Sequence, residues 1–469
     1  MKIMAAACAV ILAGCAAKAP KSRMGELGEP IPGSWAATKE GKAGIDTNWV
    51  SRVGGRQAAS FVEEAFAANS NVRVAAERVN RAIASAKTTG ASMKPQITGG
   101  LEGTRNKQAF IGFPGGGSGV PSSAFDSFGS NLAVSWEPDI WGFARAGQAS
   151  MISLAQAEGQ NYRAVRASLA AQVVRAWLAV TEANEQIALA TESVALSNST
   201  LEIVRDRYRS ALADEGGSAS QLRLAESEME TSKALLAQRE GERAQAVRQL
   251  ELLMGRYPKG AIANTNKLPM VPSMPPAGLP SELLMRRPDI LEAERQFASS
   301  GELLKQGKLA FFPSISLTAR TGTTTEAFDN LLNSDFGVWS LAGSLTQPIW
   351  AGGALRSEYS RLKSDQSSAL ANLQGTVLRA FGEVEQALVA EQFLVRREAA
   401  IRKAHRAAEA SAKAARDDYT GGTGDALSLI TAQSNSINLS SQLVTLKRLR
   451  LDNRVTLHLA LGGDYRVGK

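Results

Sequence analysis

The sequence predicts a mainly α-helical protein with a β-barrel portion, in which a unit of two strands and long helices occurs twice. None of the 16 prolines lies between Asp139 and Tyr257 or after Pro348. Because proline removes an amide donor and clashes with the preceding helical turn, both tracts permit very long helices. Segments that alternate apolar and polar residues precede each tract, as expected of strands with one apolar face.

Short motifs recur in the same order in the two halves of the chain. The matched pairs are Ala76-Glu77-Arg78 with Ala293-Glu294-Arg295, Pro95-Gln96-Ile97-Thr98 with Pro313-Ser314-Ile315-Ser316, Pro138-Asp139-Ile140-Trp141 with Pro348-Ile349-Trp350, Val174-Arg175-Ala176-Trp177 with Leu378-Arg379-Ala380-Phe381, and Leu253-Met254-Gly255 with Ala460-Leu461-Gly462. The members of a pair lie roughly 204 to 218 residues apart, so the chain contains a long internal duplication.

The duplication defines the expected domains. They are a lipoprotein signal peptide at 1–14, a lipidated tether at 15–56, a first structural repeat at 57–257, a proline-rich strap at 258–280, a second repeat at 281–463 and a tail at 464–469. In the first repeat we expect strands at about 95–105 and 128–137 and long helices at about 143–213 and 218–255. In the second we expect strands at about 313–322 and 336–347 and helices at about 354–419 and 425–461.

The N-terminus predicts export and lipid attachment. A lysine and a short apolar run lead to Leu12-Ala13-Gly14-Cys15, and small residues before a cysteine suit a lipoprotein signal peptidase. Cys8 would leave with the signal and Cys15 would carry lipid, palmitate included. The mature chain would then hold no free thiol or disulfide. Because Ala16 follows the cysteine rather than aspartate, we expect sorting to the outer membrane.

The strand count predicts an oligomer. After the N-terminus no run of 18 or more apolar residues offers a transmembrane helix, so a membrane crossing would need a closed barrel. Single-chain barrels begin at about eight strands, whereas each copy of this chain supplies four. Three copies would supply twelve, so we expect a homotrimer, with two or four copies as alternatives. The loops Asn106–Ser127 and Thr323–Ser334 would then face the medium.

The proline-free tracts predict a helical tube. From Val165 to Tyr208, apolar and small residues recur at steps of three and four, which is typical of a coiled-coil seam. Glycine-rich turns at Asp214–Ser218 and Tyr419–Asp425 would each reverse a long helix at the end farthest from the strands. Two hairpins in each of three chains give a 12-helix α-barrel, which matches the predicted 12-stranded β-barrel.

Four tryptophans near the strand ends are candidates for the membrane interface, where indole rings concentrate. They are Trp136, Trp141, Trp339 and Trp350. The alternative is that they are ordinary core residues.

Enzymatic and nucleic-acid functions are disfavoured, and no cofactor or metal is expected. The two histidines, His405 and His458, stand alone in helical tracts, where each suits a surface or packing position. Gly115-Gly116-Gly117 is not followed by the Lys-Ser/Thr of a phosphate-binding loop. The chain has a net charge of +8, but its basic residues mingle with acidic ones along the helices, as on solvated coiled-coil faces.

These features together resemble the outer membrane factor family of TolC and OprM type, in its NodT-like lipoprotein branch. The resemblance covers about Phe61 to Gly463, and four sets of motifs carry it. They are the strand exits Pro138-Asp139-Ile140-Trp141-Gly142 and Pro348-Ile349-Trp350-Ala351-Gly352-Gly353, the helix ends Arg207-Tyr208 and Asp418-Tyr419, the Leu-Gly closures, and the Cys15 lipobox.

The resemblance implies a passive outer-membrane exit channel of a tripartite efflux pump, with a long periplasmic extension. It also implies a periplasmic membrane-fusion adaptor and an inner-membrane transporter, with the RND type favoured. In the family, Tyr, Arg and Asp residues pinch the periplasmic tip, and the matching region here contains Tyr208, Tyr419 and Asp425. Ser428 and Thr431 stand where relatives carry acidic residues, and about four extra residues lie around 213–216. The altered tip is consistent with an unusual partner, with a different gate, or with sequence drift that has no functional effect.

Two alternative functions remain open from the sequence. One is the outer-membrane duct of a type I protein-secretion system, and the other is a periplasmic coiled-coil lipoprotein. The second leaves the alternating strands unexplained. Transported substrates, whether drugs, toxic small molecules or metal ions, are not encoded in any motif of the chain.

Overall fold

The protein is described from a computed structural model, which covers residues 17–28, 31–37, 48–111, 120, 122–213, 218–262 and 267–463. The signal peptide, Cys15, the Pro114–Gly119 segment, most of the first predicted turn and the tail at 464–469 lie outside these residues. The chain divides into two compact units. The described residues of the first lie within 17–27, 78–158 and 293–373, and those of the second within 28–77, 159–292 and 374–463.

Helices dominate the element order. The helices are α1 (Trp49–Ala68), α2 (Ser70–Ala91), α3 (Phe143–Ala213), α4 (Ala219–Leu253), α5 (Pro280–Leu283), α6 (Pro288–Leu309), α7 (Ala354–Thr420) and α8 (Ala426–Ala460). The strands are β1 (Gln96–Ala109), β2 (Ser122–Trp136), β3 (Ser314–Thr325) and β4 (Gly337–Thr346), and short 3₁₀ turns occupy Met24–Glu26, Phe328–Asn330 and Ser334–Phe336.

The two proline-free tracts each form a long helix followed by a shorter one. Helix α3 has 71 residues and α7 has 67, so each extends about 100 Å at 1.5 Å per residue. Helices α4 and α8 have 35 residues each. Within the described part of the chain, no helix combines the length and the apolar character needed to cross a membrane.

The first unit contains one antiparallel sheet with the strand order β1-β2-β3-β4. Its register places one fully apolar row beside a mainly polar one near the helix-proximal ends of the strands. One row consists of Ile97, Val134, Ala319 and Leu341, and the next consists of Thr98, Ala133, Arg320 and Ser340. Because successive side chains point to opposite faces, the sheet has one apolar and one polar face.

The apolar face is exposed in the protomer, and it extends over only part of the strand length. Leu101 is 75% exposed and Leu341 74%. On the same face, eight residues beyond Ile97, the ion pair Arg105–Asp126 (3.5 Å) ends the apolar stretch. That stretch measures about 26 Å along the strand, and about 20 Å after the usual tilt. Both values are close to the ~25 Å apolar band of outer-membrane barrels.

Strands β1 and β2 are longer than the sequence predicted. The loop expected from Asn106 to Ser127 is strand as far as Ala109 and again from Ser122, with Asn106 opposite Phe125. Backbone pairing continues there because an antiparallel neighbour stays in register, whatever the polarity of the side chains. Similarly, β3 runs on to Thr325, and the remainder of that predicted loop forms the two short 3₁₀ turns.

The N-terminal tether also differs from the prediction, because α1 begins inside it. Trp49, Val50 and Val53 are fully buried, and their burial stabilises a helix that the sequence pattern does not predict. The two glycines that follow, Gly54 and Gly55, interrupt the helical pattern in the sequence. Gly55 has φ +79°, so the helix kinks there. At Gly54 an added Cβ would lie 2.5 Å from the Ala58 Cβ, so this position has no room for a side chain.

Two aromatic residues at matching positions of the two repeats make similar contacts in the second unit. Trp177 donates from Nε1 to the Gly54 carbonyl at 3.2 Å and packs edge-on against Phe61. Its counterpart Phe381 packs edge-on against Trp35 of the tether, with ring centroids 6.0 Å apart. In both repeats the aromatic residue therefore fixes a segment from the N-terminal part of the chain.

The proline-rich strap has no helix or strand among its described residues before Pro280, yet it is not merely external. Leu268 and Ala277 are buried. The Gly278 carbonyl accepts from Trp35 Nε1 at 2.9 Å, and the Pro272 carbonyl accepts from Arg454 Nε at 3.1 Å. Hydrogen bonds to backbone carbonyls thus hold the strap in place without regular structure.

A buried ion network joins α7 to α8 next to this strap. The Glu391 carboxylate, 4% exposed, accepts from Arg450 at 2.7 Å and from Arg454 at 2.8 Å. Asn453 donates to the Ala387 carbonyl at 2.9 Å. Because charges taken out of water need partners, removal of one member leaves the others uncompensated.

We expect Glu391→Gln to lower the free energy of unfolding by about 3 kcal/mol, because buried Arg454 loses its counter-charge and partly exposed Arg450 keeps only Glu398. Chemical denaturation followed by circular dichroism measures the change. Glu358→Gln is the matched control, since Glu358 pairs with Arg361 on the surface and its loss should leave unfolding unchanged. Equal effects of the two substitutions would contradict the role of the buried network.

The sheet offers a second prediction, at Gly322. A Cβ there would lie 1.9 Å from the Ser130 carbonyl oxygen, whereas at Gly99 its nearest neighbour would be 3.9 Å away. Gly322→Ala should therefore cost about 1–3 kcal/mol by forcing β2 and β3 apart, and Gly99→Ala should be neutral. Thermal unfolding of the two variants in detergent provides the comparison, and an unchanged midpoint for Gly322→Ala would refute the clash.

Candidate gate at the second helical turn

The turn between α7 and α8 is closed by its own backbone. Gly422 has φ +87°, a left-handed conformation that glycine adopts without strain. The amides of Thr423 and Gly424 both donate to the Asp418 carbonyl at 3.0 Å, and Gly421 donates to Asp417 at 2.8 Å. The last carbonyls of α7 are thereby satisfied, and the chain reverses within five residues.

Asp425 begins α8 as its N-cap. Its Oδ1 accepts from the Ser428 backbone amide at 2.9 Å, and its Oδ2 accepts from the Ser428 hydroxyl at 2.6 Å. These hydrogen bonds, the hydroxyl's first, lower the pKa of the Asp425 carboxyl. Asp425 and Ser428 are both exposed. The two predicted gate residues thus form one capping unit, in which the carboxylate is committed to the helix end.

Tyr419 lies inside the protomer. Its side chain is 2% exposed and belongs to an apolar cluster with Val204 of α3 and Leu429 of α8. The Tyr419 hydroxyl is buried and makes no hydrogen bond to the described residues. Tyr419 is therefore a core residue of this cluster. Tyr208, its counterpart near the end of α3, is only half-buried.

Arg207 connects the first repeat to this turn. Its guanidinium donates to the Tyr419 carbonyl at 3.2 Å and to the Gly422 carbonyl at 3.3 Å. It also lies 4.8 Å from the centre of the Tyr419 ring. A cation is favourable both at a helix C-terminus and over an aromatic face. Sequence reasoning selected Tyr208 and missed Arg207, although this pairing of a cation with a helix end could have identified it.

Thr431 is exposed about one turn beyond Ser428, on a stretch of α8 without ionisable residues. No Asp, Glu, Lys, Arg or His occurs between Asp425 and Lys447. The exposed positions of that stretch after Thr431 are Asn435, Asn438 and Gln442. Helix α4, the equivalent element of the first repeat, instead carries a charged residue at most turns, as at Arg223, Glu226, Glu230 and Lys233.

Hydroxyl and amide groups join α8 to the first hairpin. Thr200 donates to Gln433 at 3.0 Å, and Ser434 donates to the Glu228 carboxylate at 2.9 Å. Within the first hairpin itself, the hydroxyls of Ser197 on α3 and Ser232 on α4 are 2.9 Å apart. This hydroxyl seam, defined by these six residues, contrasts with the apolar core around Trp49. A neutral hydrogen bond contributes about 1 kcal/mol and one to a carboxylate about 1.5–3 kcal/mol, so these bonds together hold the hairpins by only a few kcal/mol.

The four predicted interface tryptophans lie in the first unit. Trp136 ends β2 and donates to the Met93 carbonyl at 3.0 Å, and Trp141 donates to the Pro313 carbonyl at 2.8 Å. Trp339 and Trp350 are 81% and 84% exposed. None of the four is fully buried, although the first two have their indole donors satisfied by backbone.

The histidines are both packing residues. His458 is buried and stacks on Trp49 with ring centroids 5.6 Å apart. His405 makes a 2.6 Å hydrogen bond with the Ser440 hydroxyl. Among the described residues, no three His, Cys, Asp or Glu side chains gather as a metal site.

The fold matches solved outer-membrane channels. The structure superposes on the outer-membrane channel OprN with a TM-score of 0.85 at 22% identity, covering 96% of this chain and 99% of that one. It superposes on CusC with a TM-score of 0.79 at 25% identity, covering 93% and 97%. These neighbours combine a barrel with a helical periplasmic domain, so the predicted fold class is confirmed.

Sequence comparison agrees with the structural match. The chain is 27% identical to the cation efflux system protein CusC of Escherichia coli over 99% of both chains. It is 28% identical to the outer membrane protein OprJ of Pseudomonas aeruginosa over 94% of this chain and 91% of that one. Such channels are homotrimers that work with a periplasmic adaptor and an inner-membrane transporter, and they are not enzymes. The family model described as outer membrane efflux protein matches residues 61–256 and 279–463. Since these segments cover both repeats, the chain belongs to the outer membrane efflux protein family and is an efflux channel of the outer membrane.

Proposed function

We propose that three copies of this chain close one 12-stranded barrel continued by a 12-helix tube, which conducts substrates passively out of the cell. The sheet edges carry the proposal. Among the described strands, β1 pairs only with β2 and β4 only with β3. Lipid offers no hydrogen-bond partners, so both edges need strands from neighbouring copies. The exposed apolar face and its Arg105–Asp126 limit fit the lipid-facing band of such a barrel.

Within that barrel the tryptophans fall on the lipid boundary. Trp136, Trp141 and Trp350 lie at or just beyond the helix-proximal ends of the strands, and Trp339 lies near the start of β4 at the other end. We propose that the first three mark the periplasmic interface. Their rings are amphipathic, and two of them already have the N–H satisfied by backbone, as a site beside lipid requires.

The mass of the detergent-extracted protein tests the trimer. We expect a species near three times the 49.6 kDa chain, slightly less after processing, that collapses to one chain on boiling. A monomer that stays soluble without detergent would contradict the barrel and support the periplasmic coiled-coil alternative.

The proposed assembly includes a periplasmic adaptor and an inner-membrane transporter, most simply of the RND type. Relatives of similar identity are named for cation efflux and for pyoverdine export, so their names do not separate metal ions from organic substrates. Lipid on Cys15 would add an anchor to the outer membrane, in keeping with the relative SilC of Salmonella typhimurium, a probable outer membrane lipoprotein. Co-purification of the chain with candidate adaptors distinguishes an efflux pump from the type I secretion alternative.

We propose that the turn between α7 and α8 is the moving part of the gate and that Arg207 holds it closed. Arg207 bonds two carbonyls of the turn, and Tyr419 packs beneath it. The hydroxyl seam beside it is weak enough to part. In this scheme Tyr208, Tyr419, Asp425, Ser428 and Thr431 shape the gate, with Tyr419 acting through packing rather than as a plug.

Arg207→Ala should open the gate, because the turn loses both hydrogen bonds and the cation over Tyr419. We expect single-channel conductance in planar bilayers to rise several-fold. Arg205→Ala is the matched control, since Arg205 lies two residues away and pairs only with exposed Glu202 in the described structure. A closed Arg207→Ala channel, or equal opening by both variants, would overturn the clamp.

Substitutions at Asp425 separate the helix cap from the charge. Asparagine caps helices about as well as aspartate, so Asp425→Asn removes only the charge, whereas Asp425→Ala removes both. We expect a higher conductance for Asp425→Ala alone and a lower cation preference for both. If neither variant changes either property, Asp425 is not part of the gate.

The pH dependence of the cap follows from its lowered pKa. A carboxyl with a depressed folded-state pKa stabilises its helix above its unfolded value of about 4, and the stabilisation is lost as the pH falls through the lower folded value. Conductance should therefore stay constant from neutral pH down to about pH 4 and rise only below it. A rise between pH 7 and 5 would point to another titrating group.

The uncharged stretch of α8 should leave the channel with only the weak cation preference that Asp425 supplies, because rings of carboxylates are what usually favour cations. Thr431→Asp should therefore increase cation preference, measured as a shift in reversal potential under a salt gradient. Ser227→Asp, at an exposed site on α4, is the control and should have no effect. Equal shifts would argue that Thr431 does not line the pathway.

A further inference from the structure

A cavity of about 400 Å³ lies beside the helix-proximal end of the sheet. We name it the basal pocket. Its mainly apolar wall includes Ile140, Trp141, Phe143, Phe312, Ile315 and Pro348. The bond from Trp141 Nε1 to the Pro313 carbonyl (2.8 Å) and the contact of Trp141 with Phe312 (5.4 Å between centroids) fix one side of it.

The principal charged group of the pocket is already engaged. Asp139 accepts from the backbone amides of Ala144 at 3.0 Å and Arg145 at 2.9 Å, and from Arg145 Nε at 3.1 Å. Its carboxylate therefore caps α3 and offers little to a ligand. Ile140, Trp141 and Phe143 remain between 44% and 55% exposed. An apolar occupant fits this wall.

The described part of the tether leads towards this pocket. The Arg23 amide donates to Glu294 at 2.7 Å, and its guanidinium lies 4.4 Å from the centre of the Phe297 ring. Arg295 donates both to the Pro20 carbonyl and to Gln156 of α3, at 3.1 Å each. At residue 17 the tether has reached Gln148, which accepts from the Ala17 amide at 3.0 Å.

These contacts fix a direction and a distance. Gln148 lies eight residues nearer the start of α3 than Gln156, so the tether climbs about 12 Å towards the sheet between Pro20 and Ala17. From Gln148 to Phe143 at the pocket is a further ~7.5 Å along the helix. Two residues of extended chain span up to ~7 Å. Cys15, two residues before Ala17, is therefore within reach of the level of the pocket.

We infer that the basal pocket holds an acyl chain carried by this protein's own Cys15, an inference that rests on the lipidation of Cys15 proposed above. The volume lies within the ~300–1000 Å³ that encloses a small ligand, which suits one fatty chain. Attachment beside the pocket gives that chain a high effective concentration over free membrane lipid. The lipid thus anchors the chain to the membrane and also packs against the junction of sheet and helices.

Photo-crosslinking in native membranes tests the occupant. p-Benzoylphenylalanine is introduced at Ile140, the full-length protein is irradiated, and trypsin then releases residues 15–18 as an acylated tetrapeptide. We expect the peptide that contains position 140 to gain the mass of that lipopeptide. The matched control carries the same group at Leu332, an exposed apolar site on the β3–β4 connection, and should capture no lipopeptide. Capture of free phospholipid alone at position 140, or equal capture at both sites, would overturn the inference.

A second variant isolates the acyl chain. Cys15→Ser, exported behind a signal peptide that needs no lipid, should lose the crosslink at position 140. Retention of the crosslink would show that the peptide rather than the lipid contacts the wall, and would also overturn the inference. Mass spectrometry of residues 15–18 and bilayer conductance of the same preparations report separately on lipidation and on channel function, so failure of either is distinguishable from failure of the pocket.

Discussion

Backbone amides and carbonyls left unpaired in lipid cost several kcal/mol each, and the design of this protein depends on that constraint. The sheet ends at β1 and β4, and its apolar face suits lipid. A single copy would expose two rows of backbone groups to hydrocarbon. Association with neighbouring copies removes both rows together, so the barrel, the oligomer and the continuous passage through it all have one physical cause.

Because of the duplication, the same aromatic position occurs in both repeats but packs against a different segment of the chain in each. Trp177 and Phe381 occupy matching positions, yet one fixes α1 and the other fixes Trp35 of the tether. The surfaces of the two hairpins have diverged further. Helix α4 keeps charges typical of a water-exposed coiled coil, whereas the first half of α8 has none. The repeats therefore share their packing and differ in the chemistry that each presents.

The sequence predicted the fold class because its strongest signals are periodic. Alternation in Ile97–Leu101 and the proline-free tracts each repeat one local rule many times. What escaped prediction depends on contacts between distant residues. The helix at Trp49 is stabilised by burial and hidden by Gly54 and Gly55, and the outer ends of β1 and β2 pair without any apolar pattern. In the candidate gate, a motif identified Tyr419 and Asp425. The sequence alone predicts neither the burial of Tyr419 nor the hydrogen bonds from Arg207 to the distant turn, because both depend on tertiary contacts.

The hydroxyl seam between α8 and the first hairpin has a thermodynamic consequence. Separating apolar surfaces raises the heat capacity, so an apolar seam would make the free energy of opening curve strongly with temperature. Thr200 and Ser434, whose bonds cross to the other hairpin, exchange their partners for water with little such change. Opening along this seam would therefore keep its polar surfaces hydrated, and most of its temperature dependence would come from the apolar cluster of Val204, Tyr419 and Leu429.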